Sequence, residues 1–181
     1  MSHQLASGWR RTAILALAIA LLSVSAMGGP HFVRAATPTW LKANVKAKTA
    51  YLTLIAGWSD ANGGLNFDGY SNGKMVVTVP LGWHVQVTFS NRSAAPHSVE
   101  VIAYHTPVPE TGFRAAFKNA HSPDPINGIT QDHRPQRFAF VAARAGRYMI
   151  ICGVPGHANS GMWERFVVAK AARTATLTIR K

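Results

Sequence analysis

Residues 148–168 read YMIICGVPGHANSGMWERFVV, and this stretch decides the fold. Two short apolar runs flank a glycine-rich loop, and apolar runs of this length bounded by turn residues indicate β-strands. Cys152 ends the first run, Met162 precedes the second, and His157 lies in the loop between them. The stretch therefore predicts an all-β protein in which one loop between two strands brings together a thiol, an imidazole and a thioether.

The donor atoms of this loop point to a soft metal. Thiolate and thioether sulfur suit Cu(I), imidazole suits both copper states, and two histidines, one cysteine and a weak axial methionine form the ligand set of a blue copper site. Cys152 is the one cysteine among 181 residues, so it has no partner for an intramolecular disulfide. We interpret Cys152, His157 and Met162 as three ligands of one copper ion.

A second imidazole must come from elsewhere in the chain. His97 follows Pro96 and begins the strand-like run Ser98–Tyr104, so its ring is expected at a strand end. The competing histidines are one on the polar face of a strand and three in or beside a long loop, namely His84, His105, His121 and His133. The residues alone leave this choice open.

Short strands with turn residues between them continue along most of the chain, a pattern typical of a β-sandwich or barrel. Asn72-Gly73 predicts a hairpin turn between Leu65–Tyr70 and Met75–Val79. Other strand-like runs, ending with an expected edge strand, are Ala50–Ala56, His84–Ser90, Arg137–Val141 and Thr174–Arg180.

Thr106–Gln136 interrupts this rhythm and holds five of the ten prolines. Within it, Phe113–Ala120 has the composition of a short helix. A connection this long inside a compact domain is usually functional or mobile. The sequence therefore predicts one long inserted loop, 106–136, within the β domain.

The N-terminus is typical of a targeting segment. Arg10 and Arg11 precede the apolar stretch Thr12–Gly29, whose purest apolar core, Ala13–Leu22, has ten residues. That length suits the core of an export signal better than a membrane span. We expect residues 1–35 to be an export signal peptide or an N-terminal membrane anchor, and residues 36–181 to form the β domain.

The chain is basic, with a formal net charge of +12. Removing residues 1–35 would leave sixteen basic and seven acidic side chains, a formal net charge of about +9. Such a charge favours acidic protein partners or anionic surfaces. Nucleic acid is not an expected partner, because the charges are scattered and form no basic helix or basic–aromatic repeat.

Several neighbours are candidates to tune the site. The backbone N–H of Ser98 and the side chain of Asn91 are candidate hydrogen-bond donors, since such bonds to the sulfur adjust a metal's potential. The apolar candidates are Val154, Pro155 and Trp163. A patch formed by Val154, Pro155 and Ala158 would let the imidazole of His157 serve as the electron port.

The loop resembles the cupredoxins, the blue copper proteins, and most closely their sulfocyanin-like branch. The resemblance is carried by Cys152–Trp163, by Asn66–Gly69 and by Pro96–Ser98, and rusticyanin-like proteins are a near neighbour. It implies a Greek-key β-sandwich that holds one type 1 copper. The ligand roles that it implies fall on His97, Cys152, His157 and Met162.

The resemblance also implies a single-electron carrier and not an enzyme. Members of the family act outside the cytoplasmic membrane, so we expect an exported, periplasmic or extracytoplasmic protein in a respiratory chain, membrane-anchored if residues 1–35 remain. Expected partners are cytochromes or a terminal oxidase with acidic docking surfaces. The alternative is a copper chaperone or scavenger, which the few dispersed methionines disfavour. A copper enzyme of this fold would need a second, histidine-rich centre, and the chain has no His-x-His pair.

Overall fold

The computed structural model describes residues 39–111 and 113–181, so the expected signal or anchor at 1–35 lies outside the described residues. Residues 37–181 form one compact unit. Its secondary structure is a short 3-10 turn at Ala61–Gly64 and nine strands, which are β1 Leu41–Asn44, β2 Thr49–Ala56, β3 Met75–Pro80, β4 His84–Asn91, β5 Glu100–Ala103, β6 Gln136–Val141, β7 Gly146–Ile151, β8 Trp163–Ala169 and β9 Thr176–Ile179. No helix in this part of the chain has the length and hydrophobicity to span a membrane.

The strands form two sheets that pack face to face. One has the order β1-β2-β4-β6 and the other β5-β7-β8-β3-β9. The chain passes repeatedly from one sheet to the other, and β2–β4 and β3–β8 are parallel pairs within otherwise antiparallel sheets. The predicted all-β Greek-key sandwich is confirmed, and β9 lies at the sheet edge where an edge strand was expected.

The alternation of apolar and polar residues determines which side of each strand faces the core. In β4, Val85, Val87 and Phe89 are buried while His84 and Gln86 are exposed. Successive side chains of a strand point to opposite faces, so the apolar set lines the space between the sheets. Rings of the two sheets meet there, with the centroids of Phe140 and Phe166 5.8 Å apart.

The last four residues of β7, 148–151, are buried on both faces, which explains why this part of the strand does not alternate. Ile150 and Cys152 belong to the main core, whereas Met149 and Ile151 face a second apolar cluster on the outer side of the sheet. Tyr104, just after β5, and two side chains of the long loop, Val108 and Phe113, pack on that second cluster. The loop therefore covers the strand that leads to the cysteine.

The short helix expected at Phe113–Ala120 is wrong. The segment instead runs alongside β5, with bridges joining Ala115 to Ile102 and His121 to Glu100. The free edge of β5 offers unpaired backbone groups, and satisfying them outweighs a local helical preference. The next part of the loop continues this role, since Ser122 N–H donates to Val99 O over 2.8 Å.

The hairpin predicted at Asn72-Gly73 is also wrong, although the turn itself exists with φ of +57° and +69°. Leu65–Tyr70 forms no regular strand, and β3 pairs with β8 and β9. The turn N–H groups donate to Gly161 O and Trp163 O, each over 2.8 Å. The turn therefore binds the end of the Cys152–Met162 loop and does not join two strands of a hairpin.

Two carboxyl groups are buried beside these turns. Asp68 is 3% and Glu164 0% exposed, and each uses one oxygen to accept a backbone N–H, from Ile55 and Met75 respectively. Their other oxygens, Asp68 Oδ2 and Glu164 Oε1, have no hydrogen-bond partner among the described residues. Burial raises the pKa of each carboxyl to about 8.

These carboxyl groups should make the fold more stable at acid pH. Between their ordinary pKa values, 3.8 and 4.5, and about 8, the folded state holds protons that the unfolded chain has released. The free energy of unfolding that they contribute therefore falls as the pH rises through this window. Relative to the wild type, the variant Asp68→Asn/Glu164→Gln should gain at least about 2 kcal/mol from pH 4 to pH 8.

Urea unfolding of the copper-free proteins at both pH values measures this gain. The comparison isolates the carboxyl groups, because histidines that titrate in the same window contribute equally to both proteins. A constant difference between the two proteins would show that the carboxyl groups are ionised in the fold.

Candidate metal centre

Three of the four predicted ligands meet at one end of the sandwich. Donor atoms of His97, Cys152 and His157 all lie within 4.8 Å of one another. Cys152 Sγ is 3.8 Å from Nδ1 of His97 and 3.5 Å from Nδ1 of His157. The structure therefore brings together one thiol and two imidazoles from segments 55 positions apart.

The pairing of β5 with β7 positions His97. Glu100 lies opposite Ile151, so the residues before β5 run beside the residues after β7. His97 is also held by the long loop, because it exchanges two backbone hydrogen bonds with Ile129, of 3.0 and 2.8 Å. The ring is only 1% exposed, which fixes the imidazole between the sheet and the loop.

Ser98 connects the two halves of the site. Its backbone N–H donates to Cys152 Sγ over 3.4 Å, as expected from the sequence. Its hydroxyl donates to Pro125 O over 2.6 Å and accepts the N–H of Gly153 over 2.9 Å. Because the hydroxyl hydrogen is used by Pro125, the hydrogen bond to the sulfur comes from the Ser98 backbone.

Met162 closes the ligand loop. Its N–H donates to His157 O over 3.0 Å, and its carbonyl accepts the N–H of Cys152 over 3.1 Å. The side chain is fully buried in the main core. Gly161 precedes it with φ of +101° and a close neighbour in Asn72, so a side chain there would be strained and obstructed. The backbone thus returns Met162 to the site.

Burial controls the protonation of the three donors. Desolvation raises the pKa of the Cys152 thiol, and the N–H of Ser98 opposes this by stabilising the thiolate. Desolvation lowers the pKa of His97 to about 4, and it also lowers the pKa of His157. Both imidazoles are therefore neutral near pH 7, with ring nitrogens available for a metal. One soft sulfur and two neutral imidazoles in a dry site fit copper.

The long loop contacts the ligand loop at two points. The N–H of Gly156 donates to Glu110 O over 3.1 Å. A Cβ on Gly153 would lie 2.6 Å from Pro125 O, so the second contact is backbone against backbone. The role of residues 106–136 was hidden in the sequence, and part of it is to enclose the site.

Other sequence candidates lie elsewhere. The competing histidines His84, His105, His121 and His133 do not belong to the donor cluster. Asn91 does not reach the sulfur; its amide donates to Ala95 O and Ile129 O, so it supports the His97 segment.

The expected electron-port patch is partly wrong. Ala158 is fully buried in the second apolar cluster and cannot contribute to a surface. Pro155 is exposed, and Val154 and His157 are half-buried. Sequence reasoning did not identify Ile126, which follows Pro125 in the long loop, as an exposed apolar residue; it is 64% exposed. Its position in the unpatterned loop gave no signal.

Comparison with protein families finds a match along most of the chain. The family model for the sulfocyanin (SoxE) domain matches residues 36–179. Sulfocyanin of Sulfolobus acidocaldarius is 32% identical over 129 residues, which cover 67% of this chain and 64% of that protein. The match thus spans less than two thirds of the relative's length.

Solved structures of low sequence identity also resemble the chain. Auracyanin A, a "blue" copper protein of Chloroflexus aurantiacus, is 22% identical with a TM-score of 0.46, covering 67% of this chain and 99% of that one. Rusticyanin of Thiobacillus ferrooxidans is 20% identical with a TM-score of 0.40, covering 74% of this chain and 100% of that one.

Gly128 should be required for the position of His97. Its φ is +69°, and a Cβ there would lie 2.5 Å from His97 O. Gly82 has φ of +79° with nothing within 4 Å, so it is a matched control for the backbone cost alone. Gly82→Ala should lower the free energy of unfolding by about 1 kcal/mol and Gly128→Ala by about 3 kcal/mol.

Urea unfolding measures both losses, and the visible spectrum of the copper-loaded proteins reports on the site. We expect an altered spectrum for Gly128→Ala and an unaltered one for Gly82→Ala. Equal losses with two unaltered spectra would mean that the His97 segment tolerates the added methyl group.

Proposed function

This chain belongs to the sulfocyanin family of cupredoxins, and on that premise we propose that it carries single electrons through one type 1 copper held by His97, Cys152, His157 and Met162. The observation that carries the proposal is the cluster of one thiol and two imidazoles, with donor atoms within 4.8 Å of one another. The proposed role is that of an electron carrier and not of an enzyme.

Copper, when bound, supplies the one-electron couple between Cu(I) and Cu(II). The protein's contribution is to hold the donors in one arrangement and to keep water away. His97 and Cys152 are 1% and 0% exposed, and their segments are tied by the β5–β7 pairing and by Ser98. Donors fixed in this way move little when the charge of the site changes, which favours fast electron transfer.

His157 is proposed as the route by which the electron leaves. Its Nδ1 faces Cys152 Sγ, so its opposite ring edge points away from the sulfur. It is half-buried, whereas His97 is enclosed by the long loop. The surface near this ring includes exposed Pro155 and half-buried Val154, which would allow a partner to approach without displacing bound water from charged groups.

The proposed partners are redox proteins such as cytochromes or a terminal oxidase, with acidic docking surfaces. The net charge of the chain supports acidic partners. The sequence pattern of residues 1–35 supports an exported, extracytoplasmic protein, either released or anchored. A respiratory chain outside the cytoplasmic membrane is the proposed setting.

Replacing two ligands should separate their roles. Cys152→Ser should abolish the intense visible band, because that band requires thiolate bonded to copper. Met162→Leu should keep the band and copper but shift the reduction potential, since a weak axial ligand tunes the potential. Absorption, EPR and redox titration after addition of one equivalent of Cu(II) provide the measurements. An intense band in Cys152→Ser would refute the site.

Copper exchange distinguishes a carrier from the alternative, a copper chaperone or scavenger. A carrier should keep its metal through many oxidation and reduction cycles in the presence of a copper chelator, because its donors are buried. Loss of copper to the chelator within the first cycles would favour the chaperone.

A charge placed beside His157 should slow electron transfer without altering the site. Pro155 is exposed on the ligand loop, whereas Leu81, 39% exposed, lies in the turn between β3 and β4 at the opposite end of the strands. Pro155→Glu should slow electron self-exchange by about tenfold, because two like charges then meet in each encounter. Leu81→Glu, the matched control, should leave the rate unchanged.

NMR line broadening in mixtures of the two oxidation states measures self-exchange without a partner protein. The potentials of both variants should equal that of the wild type. Equal rates for all three proteins would place the electron route elsewhere on the surface.

A further inference from the structure

Four turns form the end of the sandwich opposite the metal site, and we call them the distal pole. They connect β1–β2, β3–β4, β6–β7 and β8–β9 and comprise residues 45–48, 81–83, 142–145 and 170–175. Backbone hydrogen bonds join them into one surface, among them Gly82 N–H to Ala142 O over 2.9 Å and Leu81 N–H to Ala169 O over 3.2 Å. Strands of eight residues separate the distal pole from the metal end by about 25 Å.

The charges of the distal pole have one sign. Its turns carry five exposed cationic side chains, Lys46, Lys48, Arg144, Lys170 and Arg173, and no acidic residue. Lys48 O also accepts the N–H of His84 over 2.9 Å, which fixes the first turn against β4. The cations are therefore borne on an interconnected surface and not on a free tail.

All seven acidic residues of the chain lie in the half that contains the metal site. Asp60, Asp68 and Glu164 belong to segments that contact the exit of the ligand loop, and Glu100 lies opposite Ile151. The remaining acids, in the long loop as it passes over the site, are Glu110, Asp124 and Asp132. The protein thus has its acids at one end and an uncompensated group of cations at the other.

The same end of the sandwich exposes three aliphatic side chains. Val45 at the tip of the first turn is 58% exposed, Leu81 in the second is 39% exposed, and Val141 at the end of β6 is 40% exposed. They account for half of the six large hydrophobic residues exposed in the described part of the chain. Exposed aliphatic side chains on a cationic surface are suited to insertion at the boundary between lipid headgroups and acyl chains.

We propose that the distal pole binds the surface of a membrane rich in anionic phospholipids. Each Lys or Arg near such a surface contributes about 1 kcal/mol, and aliphatic side chains add apolar burial at the headgroup boundary. Two of the three aliphatic side chains come from separate turns and the third from the end of β6, and such a dispersed set suits a fluid interface better than the matched face of one acidic protein. Binding in this orientation directs His157 away from the lipid, toward a soluble or membrane-protein partner.

The proposal rests on the turns and their charges and does not require the electron-carrier function. It is tested with copper-loaded protein that begins at Thr37, because residues 37–181 form one compact unit that contains all nine strands. The pole variant changes all five pole cations to Gln. A control variant changes five exposed cations of the metal half to Gln, namely Lys74, Arg134, Arg137, Arg180 and Lys181. The two variants have the same net charge.

Co-sedimentation compares binding to phosphatidylcholine vesicles with and without about 30 mol% phosphatidylglycerol. We expect the wild type to bind the anionic vesicles alone, with an affinity that falls as salt is added. The pole variant should bind at least about a hundredfold more weakly and the control variant within about twofold of the wild type. An unchanged visible band in each variant shows that the fold and the site are intact.

Three results would overturn the proposal. Equal losses in both variants would mean that net charge alone acts. A wild type that binds immobilised polyglutamate but not anionic vesicles would assign the pole to an acidic protein. Undiminished binding of Val45→Gln/Leu81→Gln, together with undiminished binding of the pole variant, would place the membrane contact on another face. If the pole variant loses its visible band, Lys170→Gln/Arg173→Gln replaces it, with an expected loss of about thirtyfold.

Discussion

The register between β5 and β7 is the constraint on which the metal centre depends. Glu100 opposite Ile151 sets Ser98 beside Gly153, and only in this alignment do the Ser98 N–H and hydroxyl reach Cys152 and Gly153. A shift of one residue would turn every side chain of β5 to the other face of the sheet. The imidazole and the thiol would then lie on opposite sides of the sheet, so the pairing of two short strands determines whether a site exists.

That register is protected by a segment with little regular structure of its own. The long loop packs on Met149 and Ile151 and pairs with the free edge of β5. Farther along the loop, the backbone of Ile129 forms hydrogen bonds with the backbone of His97. The irregular backbone of the loop costs conformational entropy. In exchange, the part of β7 that leads to the cysteine, residues 148–151, is buried on both faces, so the donors lie on a rigid support.

Sequence reasoning succeeded where the determinants were local. The alternation of β4 and the spacing from Cys152 to Met162 depend on neighbouring residues, so both were readable. It failed where pairing between distant segments determines the structure. The segment Phe113–Ala120 pairs with the open edge of β5 and does not form the expected helix. Leu65–Tyr70 forms no strand, because β3 pairs with β8 and β9. The position of His97 also depends on strand register, so the residues alone did not single it out, and His97 was chosen from the family resemblance. β1 gave no signal, since three of its four residues are exposed.

The unequal burial of the donors has a consequence for how the site is filled. His97 and Cys152 are closed off by the sheet and the long loop, and His157 alone among the three clustered donors has part of its surface in solvent. An ion must therefore enter and leave past His157, the same side from which an electron would depart. The path of the metal ion and the path of the electron therefore use the same surface beside His157. A redox partner bound there would block the exit of the metal ion during electron transfer.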